Sequence, residues 1–282
     1  MVMNPKRGKT QRRDTRKGAK SKKLSRKKIL FVITAILVIV ASGVFIVDRY
    51  VMPLPADFDN PPQFCTSDFT ELWKIQEISK FRSFAGHDYS DSFEHDRSMK
   101  HYYAPKEEFG NSNDNVSIFS PVNGTIDYIR DESHKLSNGE IRGKQIGIRV
   151  KNYPDFVVII FHVNVFSNIS VGDEVNSGQQ LGFADIREAH DFDIAISRKI
   201  GLTRERLYSY FQVMTDEVFA EYQKYGISSR SEMIKPKEEV DSLTPNWGER
   251  NEDDWVTLTT PSSTVLNSYK YLLAKITQKH IS

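Results

Sequence analysis

The sequence predicts a mainly β domain that follows a single membrane-spanning helix and ends in a helical extension. Between Val116 and Ile196, short β-branched and aromatic runs alternate with Gly, Pro, Asn and Asp, which is typical of a compact all-β unit. A charge-free apolar run at Ile29–Val47 predicts the membrane helix. From Leu202 to Tyr225, large apolar residues recur with a 3.6-residue period, which predicts helix.

The N-terminal tail differs sharply in charge from the rest of the chain. Residues 1–28 contain thirteen Lys or Arg and one acid, whereas residues 29–282 contain 26 basic and 36 acidic side chains. The tail lacks hydrophobic periodicity, which predicts disorder. Next to a membrane helix, its charge is explained by topology and by anionic lipid headgroups, and we expect no nucleic-acid partner.

The apolar run Ile29–Val47 has the length of a bilayer span. Its 19 residues would extend about 30 Å as a helix. A buried core helix and a cleaved signal peptide are the alternatives; both are disfavoured, the first by the basic tail and the second by the length of the run. Because positive segments stay inside, we expect a single-pass protein of the cell membrane with residues 1–28 in the cytoplasm and residues 48–282 outside.

The extracytoplasmic part divides into three predicted regions. Four prolines within 48–64 predict a semi-extended stalk. A peptidase-like β domain is expected over 65–199; it would begin with a short helix over 69–78, where apolar residues have near-helical spacing.

The third region, 200–282, is the predicted helical C-terminal extension. Within it, Trp255–Thr259 predicts a returning strand, and Val265–Lys279 predicts a last short helix.

Side chains of the metal-ligating type occur at several places. His87 and Asp91 lie four residues apart on an irregular segment, and His162 follows an aliphatic strand. Asp191 and Asp193, near the end of the β unit, share one face if that segment is a strand. A catalytic zinc needs three protein ligands of this kind and one open position for water.

Five motifs together resemble the lysostaphin-type zinc metallopeptidase family. In chain order they are S-P-V-N-G-T-I, G-K-Q-I-G-I-R-V, I-I-F-H-V, V-G-D-E-V-N-S-G-Q-Q-L-G and F-D-I, and the resemblance covers about 110 residues from Gly86 to Ser197. It implies a duplicated hybrid-motif fold, a barrel-sandwich of β strands. The V-G-D motif is shared with lipoyl-type domains, but the chain has no Lys at an obvious hairpin tip, which disfavours a carrier function.

The resemblance also implies site residues. His87 and Asp91 match the spacing of the family's first two metal ligands, and Asp191 stands at the position of the third, where the family has His. His162 matches the mid-domain catalytic His, and His190 lies one place out of register with the final His pair.

A second alignment stays open for the first motif. If the family's Ala-Pro pair is matched to Ala104-Pro105, His101 takes the position of the ligand Asp and Arg97 that of the ligand His.

Two functions follow from these departures. One is a metal-dependent endopeptidase that uses Zn²⁺ or another divalent metal and acts on an envelope polymer, a protein or a peptide. Its metal would be held by His87, Asp91 and Asp191, with His162 and His190 assisting the reaction. The other is a non-catalytic binding or regulatory module that keeps the peptidase fold and needs no metal.

Overall fold

The structure is a computed structural model and describes residues 26–259. The greater part of the predicted basic tail and the predicted helix Val265–Lys279 lie outside the described residues. Helix α1 spans Arg26–Ile46, and Val47–Val51 continues it as a π-helical turn. The helix is long and apolar enough to cross a membrane, and a signal sequence would have the same properties.

From Asp48 onward, the described residues belong to one compact unit built on an antiparallel sheet of eleven strands. The strands are β1 Ile75–Ser79, β2 His101–Pro105, β3 Ser117–Phe119, β4 Gly124–Asp131, β5 Lys144–Val150, β6 Tyr153–Val165, β7 Glu174–Val175, β8 Gln180–Ala184, β9 Phe192–Ile200, β10 Arg204–Tyr208 and β11 Trp255–Thr257. Along the sheet the order is β11-β1-β2-β9-β6-β5-β4-β7; β10 also pairs with β9, and β8 pairs with β3 and β6. The predicted mainly β fold is confirmed.

The helices between β10 and β11 are short. They are α2 Tyr210–Val213, α3 Asp216–Lys224 and α4 Lys237–Asp241, with 3-10 turns at Leu72–Lys74, Glu107–Phe109, Arg230–Met233 and Glu252–Asp254. The segment 202–225 therefore contains strand β10 and two helices. Arg204–Tyr208 forms a strand because it pairs with β9. The spacing of apolar residues in the sequence does not reveal such pairing.

The helix predicted over 69–78 is wrong. The segment forms a 3-10 turn at Leu72–Lys74 and then strand β1, because Ile75–Ser79 pairs with β2 on one side and β11 on the other. Two ladders of backbone hydrogen bonds outweigh the weak helical preference of this segment. The pairing with β11 confirms the returning strand predicted near Trp255.

Strand β9 positions the rest of the sheet because it pairs with three other strands, β2, β6 and β10. Its inner face and the segment before β1 form the centre of one large apolar core. There Phe69, which has no exposed surface, packs edge-on against Tyr103, Phe192 and Tyr210 at ring-centroid distances of 4.7, 5.9 and 5.5 Å.

Truncation of this ring should destabilise the domain strongly. We expect Phe69→Ala to lower the free energy of unfolding by about 3–5 kcal/mol, because a buried aromatic side chain is lost and a cavity remains. Val171→Ala, at an exposed loop residue, is the control and should change stability by less than about 0.5 kcal/mol. Urea unfolding of the full chain in detergent, followed by tryptophan fluorescence, measures both; equal stabilities would contradict the packing described.

Candidate functional site

The candidate site lies where β2 and β9 run side by side. Tyr102 pairs directly with Asp193 across the two strands, so the side chains of Lys100 and Tyr102 share a face with Asp193. The Lys100 ammonium forms an ion pair with Asp193 Oδ2; the two side chains are 2% and 0% exposed. A buried carboxylate at this position is therefore neutralised by a cation from the chain itself.

Aromatic rings enclose the Lys100 ammonium. Its Nζ lies 4.8 Å from the ring centroid of Tyr89, 4.9 Å from that of Tyr102 and 4.4 Å from that of Phe161. Each contact is within the range in which a ring face attracts a cation, and such contacts are strongest when the cation is desolvated. The rings and Asp193 together define one position for the ammonium.

His162 approaches Asp193 from strand β6. Its Nε2 lies 3.4 Å from Asp193 Oδ1, and burial lowers the pKa of His162 to about 4, so the imidazole is neutral at pH 7. The backbone at His162 has φ +58°, at a break in the register between β5 and β6. A Cβ on Gly143 would lie 2.7 Å from the His162 carbonyl carbon, so only glycine fits opposite this bulge.

The surroundings of the Lys100–Asp193 ion pair shift the pKa values of three further groups. Burial raises the pKa of Asp191 to about 7, and the neighbouring Asp193 adds to the rise. Burial and Asp193 also raise the pKa of Glu132, whose Oε1 accepts a hydrogen bond from His162 N at 3.4 Å. Burial and then the Lys100 ammonium lower the pKa of His87, whose Nδ1 lies 3.4 Å from the Tyr102 hydroxyl. The groups around the ion pair are thus biased toward their uncharged forms, which donate and accept hydrogen bonds.

Asp91 belongs to a different part of the molecule. One of its oxygens accepts hydrogen bonds from Phe93 N and Glu94 N at 2.7 and 2.9 Å, and the other from Leu207 N at 2.8 Å and Arg206 at 3.2 Å. Arg206 also pairs with Glu94 at 2.7 Å. This buried network fixes the segment after His87 against β10.

The remaining predicted residues also lie apart from Asp193. His190 is exposed and lines a cleft of about 520 Å³ together with Pro105, Glu107, Asn111 and Glu188. In the second alignment, His101 faces the opposite side of β2, where its Nδ1 is 2.7 Å from Ser79 O and its Nε2 2.7 Å from Ser209 Oγ. Arg97 pairs with Glu94 and Asp241.

These residues do not fit a catalytic zinc. Within residues 26–259 no group of three or more His, Cys, Asp or Glu is arranged to hold a metal ion, so His87, Asp91 and Asp191 are not brought together as a site. A divalent ion at Asp193 would also meet the Lys100 ammonium. Two unit charges 4 Å apart repel by roughly 4 kcal/mol at an effective dielectric constant of 20, and a divalent ion would double that.

Sequence reasoning placed Asp191 and Asp193 on one face of a strand, whereas β9 begins at Phe192, and it overlooked Lys100. A signal was present, since Lys100 lies between Met99 and His101, just before the aromatic pair Tyr102-Tyr103. A lysine in such a run is rarely buried unless it has a partner.

The comparisons with known proteins match solved structures only, at low identity. No family model and no curated protein matches the chain. Among solved structures, the chain is similar to the catalytic domain of lysostaphin from Staphylococcus simulans (14% identity, TM-score 0.30, 45% of this chain and 82% of that one). It is also similar to Csd3 of Helicobacter pylori (16%, TM-score 0.33, 70% and 46%) and to a Ruminococcus gnavus protein named as a glycyl-glycine endopeptidase, LytM (16%, TM-score 0.30, 40% and 43%). The chain thus spans less than half the length of Csd3 and of the Ruminococcus gnavus protein. Such low similarity does not show the role of any residue in this chain.

The ion pair gives a specific prediction for stability. Lys100→Met leaves Asp193 buried without its cation and should lower the free energy of unfolding by about 3–5 kcal/mol. Lys100→Met combined with Asp193→Val removes both charges and should restore most of that loss. Lys144→Met, which removes the exposed partner of Asp131 at 3.4 Å, is the control and should cost less than about 1 kcal/mol. Urea unfolding measures all four proteins; a double variant no more stable than Lys100→Met would refute the pairing.

His101 predicts a pH dependence. Burial lowers its pKa to about 4. Between pH 6.5 and 4 the unfolded chain therefore takes up a proton at this residue that the folded chain does not, and stability falls as the pH falls through this window, by roughly 3 kcal/mol. His162 acts in the same direction. In His101→Gln the slope of unfolding free energy against pH should decrease by about one proton, whereas His95→Gln, at an exposed residue, should leave it unchanged. An unaltered slope in His101→Gln would show that folding does not lower the pKa of His101.

Proposed function

We propose that this chain is a membrane-anchored, extracytoplasmic binding module that retains a peptidase-like fold and does not hydrolyse its ligand. The observation that carries the proposal is the buried Lys100–Asp193 ion pair. It puts a fixed cation beside Asp193, the carboxylate of the final motif that His162 approaches. The anchor would be α1, and the basic residues before it favour the orientation with residues 48–282 outside.

The geometry favours binding over hydrolysis. Metal-dependent hydrolysis needs an activated water and a base that accepts its proton. The surroundings of Asp193 supply groups that could accept a proton, a neutral imidazole at His162 and a carboxyl at Asp191 whose pKa is raised to about 7, but the Lys100 ammonium stands where a metal ion at Asp193 would activate the water. Without a metal ion, such groups hydrogen-bond to a neutral polar ligand, such as the amides of a peptide.

The cleft beside His190 offers an open surface for a peptide ligand. Its lining combines the exposed His190, Asn111 and the carboxylates Glu107 and Glu188, and His190 directly precedes Asp191 in the chain. Its volume of about 520 Å³ falls within the range typical of ligand-binding clefts. We therefore propose peptide segments of the cell envelope, in a polymer or a protein, as the ligand class.

Three measurements on the full chain in detergent test the proposal. Metal analysis of protein purified without chelators should give far less than one equivalent of Zn²⁺, Mn²⁺, Fe²⁺ or Ni²⁺, and incubation with purified peptidoglycan sacculi should release no peptide. The same sacculi should co-sediment the protein. One tightly held metal per chain, together with hydrolysis that is lost in His162→Ala, would establish the metallopeptidase instead.

A matched pair of variants tests the cleft. Glu107 and Glu108 are both exposed on the same 3-10 turn, but only Glu107 lines the cleft. Glu107→Lys should weaken co-sedimentation several-fold, whereas Glu108→Lys, with the same change in charge, should leave it unaltered. Equal effects of the two substitutions would mean that the cleft is not the binding surface.

A further inference from the structure

The turn between β9 and β10 is bound to the residue that follows the long apolar run. Asp48 is the first charged residue after Ile29–Val47, and its side chain has no exposed surface. Its Oδ1 accepts a hydrogen bond from Leu202 N at 2.7 Å, and its Oδ2 accepts from Thr203 N at 3.0 Å and from the Thr203 hydroxyl. Both carboxylate oxygens of Asp48 therefore hold this turn.

The turn is shaped to receive the Asp48 carboxylate. Gly201 has φ +64°, and a Cβ at this position would overlap Asp48 Oδ1, so only glycine fits. Arg204 Nε lies 3.7 Å from Asp48 Oδ2, and the Arg204 side chain is buried. A buried carboxylate with three hydrogen-bond donors and a buried cation beside it is a firm attachment point.

The residues after Asp48 also lie against the domain. Arg49 Nη1 donates a hydrogen bond to Ser92 O at 2.9 Å. Arg204 Nη2 donates to the Met52 carbonyl at 3.4 Å. Because these contacts begin directly after the apolar run, the chain has little slack between that run and the β9–β10 turn.

The length of the apolar run sets the level of Asp48 relative to a membrane. The 19 residues of Ile29–Val47 would extend about 30 Å as a helix, which matches the hydrocarbon core of a bilayer. A carboxylate inside the hydrocarbon is costly, so Asp48 belongs at the lipid–water interface. The turn that Asp48 holds then lies at the same level. This step rests on the membrane anchor proposed above.

The side chains near this attachment suit a lipid surface. Leu202, in the turn, is 58% exposed, and Tyr50 and Val51 are 78% and 68% exposed. Tyrosine is enriched at lipid–water interfaces, and the exposed Arg49 and Lys199 can contact anionic headgroups. A single exposed leucine needs no explanation by itself. Its attachment beside the membrane-spanning run is what identifies lipid as its partner.

We infer that the β9–β10 turn is a second membrane contact, in which Leu202 enters the headgroup region of the bilayer that α1 crosses and Asp48 holds it there. The contact limits the height of the Lys100–Asp193 site. Asp193 precedes Gly201 by eight residues, which at ~3.3 Å per residue places it at most about 26 Å from the turn. The envelope peptides proposed as ligands would therefore be met close to the membrane.

Fluorescence quenching on the full chain in liposomes tests the inference. Leu202→Cys and Val171→Cys each carry one thiol-reactive dye, and the unmodified chain is the labelling blank because Cys65 is buried. Val171 is the matched control: it is apolar, 59% exposed and next to a glycine with positive φ. It precedes β7, which is four places from β9 in the sheet order.

The liposomes contain phosphatidylcholine and phosphatidylglycerol, and the quencher is phosphatidylcholine with a doxyl group near the headgroup. The dye at 202 should be quenched several-fold more than the dye at 171. Equal quenching at the two positions would overturn the inference. Protection of the dye at 202 from iodide in the water, without quenching by the doxyl lipid, would show that protein covers the turn and would also overturn it.

A third label distinguishes this inference from the anchor on which it rests. Val38 lies in the middle of the apolar run, so a dye on Val38→Cys should be quenched by a lipid with its doxyl group deep in the acyl chain. Quenching at 38 without quenching at 202 would overturn the inference and leave the proposed anchor intact. Absence of quenching at 38 would overturn the anchor and the inference together.

Two glycine substitutions in the Leu202→Cys protein test the attachment to Asp48. Gly201→Ala places a methyl group against the Asp48 carboxylate and should reduce quenching at 202 by at least about half. Gly172→Ala is the control, because it has the same kind of backbone but a Cβ there meets nothing within 4 Å, and it should leave quenching unchanged. Equal quenching in the two would refute the role of Asp48. If Gly201→Ala loses its fold, as thermal unfolding would show, the comparison of positions 202 and 171 decides the question.

Discussion

The structure depends on how the chain neutralises one carboxylate. Asp193 lies on β9, the strand that pairs with β2, β6 and β10, and its side chain has no exposed surface. Moving an isolated charge into such a position costs several kcal/mol, so the fold is tenable only if a partner arrives with it. Lys100 supplies that partner from the residue just before β2, and three aromatic rings exclude water from the pair.

The same solution recurs elsewhere in the domain. Lys235 pairs with Asp254 at 2.5 Å, and Glu94 is surrounded by Arg82, Arg97 and Arg206. In each case a buried acid is matched by one or more basic side chains. Asp91, which resembles a metal ligand in the sequence, thus forms an internal ion pair with Arg206. The Lys100 ammonium beside Asp193 disfavours a divalent ion there.

Much of the β unit follows from local sequence, because alternating apolar runs and glycine-rich turns specify strands. The segment before β1 does not, since Ile75–Ser79 becomes a strand only through its two neighbours. At the site, the face on which Asp193 lies follows from strand alternation. The partner of Asp193 does not follow, because Lys100 is more than ninety residues away in the chain and only the antiparallel register of β2 and β9 brings it near. The spacing of His87 and Asp91 was misleading for a related reason: the Asp91 carboxylate is used to cap its own turn and to bind Arg206, contacts that spacing alone cannot reveal.

The central claim is that a lysine ammonium, and not a metal ion, faces Asp193. The most direct measurement is diffraction at the zinc absorption edge from crystals of the full chain grown with millimolar Zn²⁺. The account predicts continuous electron density for Lys100 up to Asp193 and no anomalous peak within 4 Å of the Asp193 carboxylate. An anomalous peak there, bound by Asp193 with His162 or Asp191 and with Lys100 displaced, would contradict it.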